Sequence, residues 1–106
     1  MLKLYFKQIE LGYFEYKNNF LIYNSNLNGE KILKNTYPVS SIYGLFNSKN
    51  KVISDLPVFL ENILNMEKNN DYKIMAKIEE NDNIYDKLVK FSGLNLSKNE
   101  FYLVKE

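Results

Sequence analysis

The sequence contains no histidine, cysteine, tryptophan or arginine. Histidine is the side chain that titrates near neutrality and cysteine supplies the thiolate nucleophile, so the commonest carriers of general acid–base and covalent chemistry are missing together. The absence of cysteine also removes disulfide frameworks and thiolate zinc sites, and it agrees with a reducing compartment, which makes the cytoplasm the expected location. All 14 basic residues are lysines, against 13 Asp plus Glu, so the planar forks with which arginine grips phosphate or guanine are lacking and no direct nucleic-acid contact is expected. The four glycines, Gly12, Gly29, Gly44 and Gly93, are isolated from one another, and no glycine-rich loop can cradle a phosphate. Long apolar runs are lacking too. Phe20-Leu21-Ile22-Tyr23 is typical, far short of the ~20 residues a membrane helix needs, and Met1 to Tyr5 lacks the layout of a signal peptide.

What is present suits packing. Apolar residues make up 45% of the chain and aromatics 15%, the latter from nine Tyr and seven Phe. A 106-residue chain is the size of one domain and buries roughly two-thirds of its extended surface. One domain over residues 1–106 is expected, strand-rich over 1–53, helical over 54–93, with a last strand at 100–104.

Leu2, Leu4 and Phe6 alternate with Lys3, Tyr5 and Lys7, the period of a strand with one buried face. Tyr13 to Tyr16 and Phe20 to Tyr23 are aromatic and β-branched around a Lys17-Asn18-Asn19 turn. Asn24 to Glu30, rich in Asn and holding Gly29, reads as a second turn. Lys31 to Leu33 and Tyr37 to Tyr43 read as weaker strands, with Pro38 marking an edge. From Ser54 the spacing becomes helical. Leu56, Phe59, Leu60, Ile63 and Leu64 recur at three and four residues, with Ser54 and Asp55 as expected caps and Pro57 in the first turn. A second helix is predicted from Asp71 to Glu80 with Tyr72, Met75 and Ala76 on one side. A third runs from Asp82, its expected cap, to Ser92, closed by Gly93. Glu100 to Val104 alternates as a strand returning to the sheet. The fold class is α+β: a small antiparallel sheet of short N-terminal strands plus a C-terminal strand, packed with about three helices.

Few motifs carry chemistry. Ser40-Ser41 and Ser97-Lys98 sit in no catalytic frame, and Glu79-Glu80-Asn81-Asp82 lacks the loop spacing and closing Glu of a calcium site. No cofactor and no metal is expected. Tyrosines and lysines on strands could stack and track a single-stranded nucleic acid, but the net charge of +1 favours their use in packing.

Two stretches resemble a known family. Gly12-Tyr13-Phe14-Glu15-Tyr16 is similar to the early strand, ending in Phe-x-Tyr, of the N-terminal subdomain of HipA-type serine/threonine kinases. Leu56-Pro57-Val58-Phe59-Leu60-Glu61-Asn62-Ile63-Leu64 resembles that subdomain's Phe-Phe-x-Asn-Leu-Leu-Pro helix. Asp82 to Val89 followed by Phe91-Ser92-Gly93 looks like its Asp-x-Phe-x-Leu-Leu helix, and Phe101 to Val104 falls where its next strand lies. Asn65 stands where the family has Pro, and Asn95 and Leu96-Ser97 replace its Asp and Gly-Ala. The nucleotide loop and the catalytic and metal-binding Asp residues of those kinases have no counterpart in these residues. The resemblance therefore implies a free-standing, HipS-like antitoxin of a HipBST-type system, a non-catalytic protein that docks on a HipA- or HipT-like kinase, with a helix-turn-helix repressor as a further partner. An inhibitor of another bacterial defence enzyme, coded by a phage or mobile element, fits the composition equally.

The expected partner-binding segment is Tyr43-Gly44-Leu45-Phe46-Asn47-Ser48-Lys49-Asn50, read as an exposed turn between sheet and helix with Tyr43, Leu45, Phe46, Asn47 and Lys49 as the contacting residues. Aromatics anchor cores and interfaces alike, so the alternative, that Tyr43, Leu45 and Phe46 enter the core, stands beside it.

Overall fold

The structure, a computed structural model, describes residues 1–37, 43–94 and 100–106. Five antiparallel strands form one sheet: β1 (Leu2–Phe6), β2 (Ile9–Lys17), β3 (Phe20–Ser25), β4 (Lys51–Val52) and β5 (Phe101–Lys105), in the order β4-β3-β2-β1-β5. Four α-helices accompany them: α1 (Leu27–Thr36), α2 (Val58–Leu64), α3 (Asn70–Met75) and α4 (Ile84–Ser92). The α+β class and the antiparallel sheet with a returning C-terminal strand are as expected.

The β2–β3 hairpin follows from its turn. Asn18 and Asn19 both take left-handed φ, 52° and 67°, and Lys17 pairs with Phe20, so two asparagines close a two-residue loop whose twist matches the strands. β1 and β2 slip register between Leu4 and Tyr5: Leu4 pairs with Gly12 but Tyr5 with Glu10. Leu11 is the extra residue of this bulge.

Strand alternation and this register sort the sheet into two faces. Leu2, Leu4, Phe6, Phe14, Leu21, Tyr23 and Leu103 share one face and are all buried. The helices lie on that face: the Phe59 ring stacks on Phe101 at 5.6 Å, Phe6 meets Tyr37 at 5.0 Å, and Tyr23 reaches Glu30 of α1. Leu33, Phe59, Leu60, Ile63, Leu88 and Phe91 complete the core from the helix side.

Helix α1 corrects the sequence expectation, which had a turn and a weak strand there. Asn26 caps it, its side-chain oxygen accepting the Gly29 N–H at 3.2 Å. The buried side of α1 consists of Gly29, Glu30 and Leu33, so the apolar periodicity that announces a helix is absent. β4 was likewise not foreseen. The proposed strand from Tyr37 to Tyr43 falls largely on residues 38–42, outside those described, and Tyr43 opens a 3₁₀ turn that runs to Leu45.

The caps of the later helices also shift. Pro57, not Ser54 or Asp55, holds the N-cap position of α2, and its carbonyl accepts the N–H groups of Leu60 and Glu61. α3 starts behind Asn69, which accepts from Asp71 and Tyr72; Ala76 is buried as expected, but Met75 is 56% exposed. Asn83 caps α4 through a reciprocal pair with Asp86, while Asp82 accepts the Glu79 N–H at 2.8 Å and pairs with Lys90 at 2.6 Å. Those two donors hold the Asp82 carboxyl below its ordinary range, the Glu79 N–H contributing first and Lys90 second. The acidic stretch 79–82 is thus a helix junction with its own cation. Lys87 ties α4 to Glu67 in the 3₁₀ turn that prolongs α2 (3.0 Å).

Candidate partner-binding face

All the packed helical contacts described above fall on one side of the sheet, and the other side carries residues that, apart from the buried Asn24, are half-buried or exposed. By register it presents Lys3 and Tyr5 of β1, Glu10, Tyr13 and Glu15 of β2, Phe20, Ile22 and Asn24 of β3, Val52 of β4, and Tyr102 and Val104 of β5. Phe20 and Val52 are 55% and 46% exposed. Tyr5 and Tyr102, paired across β1 and β5, stack with ring centroids 5.4 Å apart and planes within 9°, a cross-strand contact that holds both rings in one orientation. The Tyr102 hydroxyl donates to the Lys7 carbonyl and the Tyr5 hydroxyl to Glu106 at 3.4 Å.

The charges of this face are organised around Lys3. Its ammonium lies 2.8 Å from both Glu10 and Glu106. These contacts raise the lysine pKa and, through the Lys3 hydrogen bond first, lower that of Glu10, partial burial working against the shift. Burial, then the Glu106 charge, raises the Tyr5 phenol. Glu15 accepts from the Asn24 amide at 2.7 Å and pairs with Lys17. The result is a tyrosine-bearing surface with three carboxylates set among its aromatic and aliphatic groups.

Beside Tyr13 the face ends in a depression of about 380 Å³ lined by Tyr13, Asn24, Ser25, Leu27 and residues 47–50. The segment 44–50 is stitched down there. Ser25 N–H donates to Ser48 O and Ser48 N–H to the Ser25 hydroxyl, at 2.8 and 2.9 Å. Asn47 and Asn50 adopt left-handed φ, 59° and 66°, a conformation that asparagine tolerates better than most residues. The Asn47 N–H donates to Glu30 at 2.8 Å.

Of the expected contact residues, Asn47 and Lys49 stand exposed on this rim. Leu45 and Phe46 do not: they are 4% and 7% exposed and belong to the core, so for these two the second of the two readings holds and the exposed aromatic turn does not. The 3₁₀ turn Tyr43–Leu45 ends on Leu45 and is followed at once by Phe46, and both side chains enter the core, with Lys34 of α1 over the Phe46 ring at 5.1 Å. Phe46→Ala is therefore expected to destabilise the fold by about 3 kcal/mol, as for other buried Phe truncations, in urea or thermal unfolding; an unchanged midpoint would return Phe46 to the surface.

Sequence reasoning missed the sheet face itself. The pattern assigns Tyr5 and Tyr13 to packing, and only the register with β5 and β3 shows that they share a side on which no described helix lies. Alternation with the buried Leu2, Leu4 and Phe6 was the available signal. Glu30, 1% exposed, was also missed; it accepts the Tyr23 hydroxyl at 3.1 Å and the Asn47 N–H, fastening the rim to the core. Among the described residues no cluster of three or more metal-ligating side chains occurs, and no helix is long and apolar enough to cross a membrane. Ser40, Ser41, Ser97 and Lys98 lie outside the described residues.

Compared with known protein families, curated proteins and solved structures, the chain matches none.

Proposed function

We propose that the chain works by docking on a larger enzyme, as a HipS-like neutraliser of a HipA- or HipT-type serine/threonine kinase, without a cofactor or reaction of its own. The observation that carries this reading is the sheet face that no described helix covers, where the stacked Tyr5 and Tyr102, with Tyr13, Ile22 and Val52, form an aromatic surface rimmed by polar groups. Interfaces are enriched in tyrosine and carry a polar rim. The segments that resemble the kinase subdomain, Gly12 to Tyr16, Leu56 to Leu64 and Asp82 to Gly93, contribute to β2, α2 and α4, so the likeness runs through the framework that supports the face. A subdomain that is a covalent neighbour in one architecture already has a surface shaped for the kinase, and supplying it in trans costs mainly association entropy. Neutralisation is then steric, by occlusion of a cleft or by holding the lobes apart.

The same face disfavours the nucleic-acid alternative. Glu10, Glu15 and Glu106 lie among the tyrosines, where a phosphate backbone would meet three carboxylates.

Co-expression with a short HipA-type kinase that lacks its own N-terminal subdomain is expected to give a co-purifying complex and to relieve growth arrest. Tyr13→Ala should weaken that complex at least ~10-fold, equivalent to about 1.4 kcal/mol, with little change in thermal midpoint because the ring is half-exposed. Failure to form a complex would overturn the kinase reading, and an undiminished affinity in the variant would move the interface off this face.

A further inference from the structure

Strand β5 ends the sheet, and among the described residues its outer backbone ladder is unused. Met1 and Glu106 exchange both backbone hydrogen bonds at 2.9 Å, and the Lys7 N–H donates to the Glu100 carbonyl at 3.0 Å. Between these points the β1–β5 register is unbroken, from Leu2 with Lys105 to Phe6 with Phe101. Hydrogen-bonded and non-hydrogen-bonded pairs alternate along an antiparallel ladder. Tyr102 and Val104 therefore turn their N–H and C=O groups toward Tyr5 and Lys3, and Phe101, Leu103 and Lys105 turn theirs away from β1. Among the described residues nothing meets these outward groups. The other edge is different in kind, since β4 is only two residues long. Long unpaired edges template further pairing unless they are blunted.

Charge says what kind of strand fits. Glu100 and Glu106 bracket the edge and, by the alternation along β5, both lie on the tyrosine side of the sheet; Glu106 shares the Lys3 ammonium with Glu10, so this group of three still carries one negative charge. A second copy paired antiparallel about Leu103 would set Glu100 of one chain opposite Glu106 of the other at both ends, and like charges directly opposed are destabilising. A strand with lysine or arginine at its two ends and apolar residues between them meets the opposite condition. We infer that β5 is a strand-addition site that takes an extended segment of about seven residues from a partner protein, basic at both ends, and so continues the sheet into the partner. The naming of that partner as a kinase rests on the function proposed above; the edge does not.

Amide exchange tests it in three arms. In the free protein the amides of Phe101, Leu103 and Lys105 are expected to exchange at least tenfold faster than those of Tyr102 and Val104; equal protection would mean a covered edge and would overturn the site. In the complex with the short HipA-type kinase the three amides become protected at least tenfold. Lys105→Pro, which removes an outward N–H while sparing the bonds to β1, weakens the complex at least tenfold at an unchanged thermal midpoint, whereas Lys105→Ala stays within twofold. A complex that leaves the three amides exposed overturns the edge and spares the kinase reading. If no complex forms, the kinase reading fails alone and a synthetic peptide decides. A Lys-Val-Thr-Val-Thr-Val-Lys peptide must protect these amides and bind at least tenfold more tightly than its Glu-ended analogue; otherwise the strand-addition site is wrong.

Discussion

Gly29→Ala is expected to cost about 3 kcal/mol or more, lowering the thermal midpoint by ~15 °C. In an ordinary helix interior the same change stabilises by up to ~1 kcal/mol, so the sign is diagnostic. A Cβ at position 29 would sit 1.7 Å from the Glu10 carbonyl oxygen and 2.9 Å from its carbon. These are backbone atoms of β2, beside the Leu11 bulge, and cannot swing aside as a flexible side chain would. Helix α1 would have to withdraw, straining the Asn26 N–H to Leu11 carbonyl bond of 2.8 Å and the Asn26 amide to Glu10 bond of 2.8 Å. Thermal unfolding of the purified variant checks this, and a neutral or stabilised midpoint would show that α1 does not press against β2 as described.

Glu30→Ala should lose about 3 kcal/mol, for a different reason. The carboxylate is 1% exposed and its two oxygens serve different elements: one accepts the Asn47 N–H, the other the Tyr23 hydroxyl. Truncation leaves a backbone donor and part of a phenol without this partner, and orphaning buried polar groups costs about 1–3 kcal/mol each. Tyr23 retains the Leu11 carbonyl at 2.7 Å, so Tyr23→Phe is the milder change, of about 1–2 kcal/mol. Burial, then the Glu30 charge, pushes the Tyr23 phenol far above its ordinary range, so it remains a donor across the accessible pH range. In Glu30→Ala the Asn47 amide should also exchange faster, because Glu30 accepts that N–H and fastens this point of the rim to the core. Unfolding in urea together with exchange at Asn47 tests both parts, and a stability loss without loosening of Asn47 would sever the proposed link between rim and core.

These two positions also mark where the sequence stopped being legible. Strands β1, β2, β3 and β5 and the two helices with strong apolar spacing, α2 and α4, were readable because alternation at period two and recurrence at three and four residues report a face that buries leucine or phenylalanine. Helix α1 buries Gly29 and Glu30 instead, and a pattern scored on apolar residues cannot see such a face. The rim stayed open between two readings for a related reason. Leu45 and Phe46 follow a glycine and precede Asn47-Ser48, a local context that suits an exposed turn as well as a core entry, and only the tertiary structure places them inside.

The sequence by itself determined the α+β class, the hairpin at Asn18-Asn19, the buried identity of Leu2, Leu4 and Phe6, and the apolar stripes of α2 and α4, because each depends on neighbours a few residues apart. Only the tertiary structure decided which side of the sheet the described helices pack on, that Tyr5 stacks on Tyr102 from 97 residues away, and that Glu30 belongs inside. Those outcomes depend on long-range register and on how closely one backbone can approach another, and no local pattern encodes either.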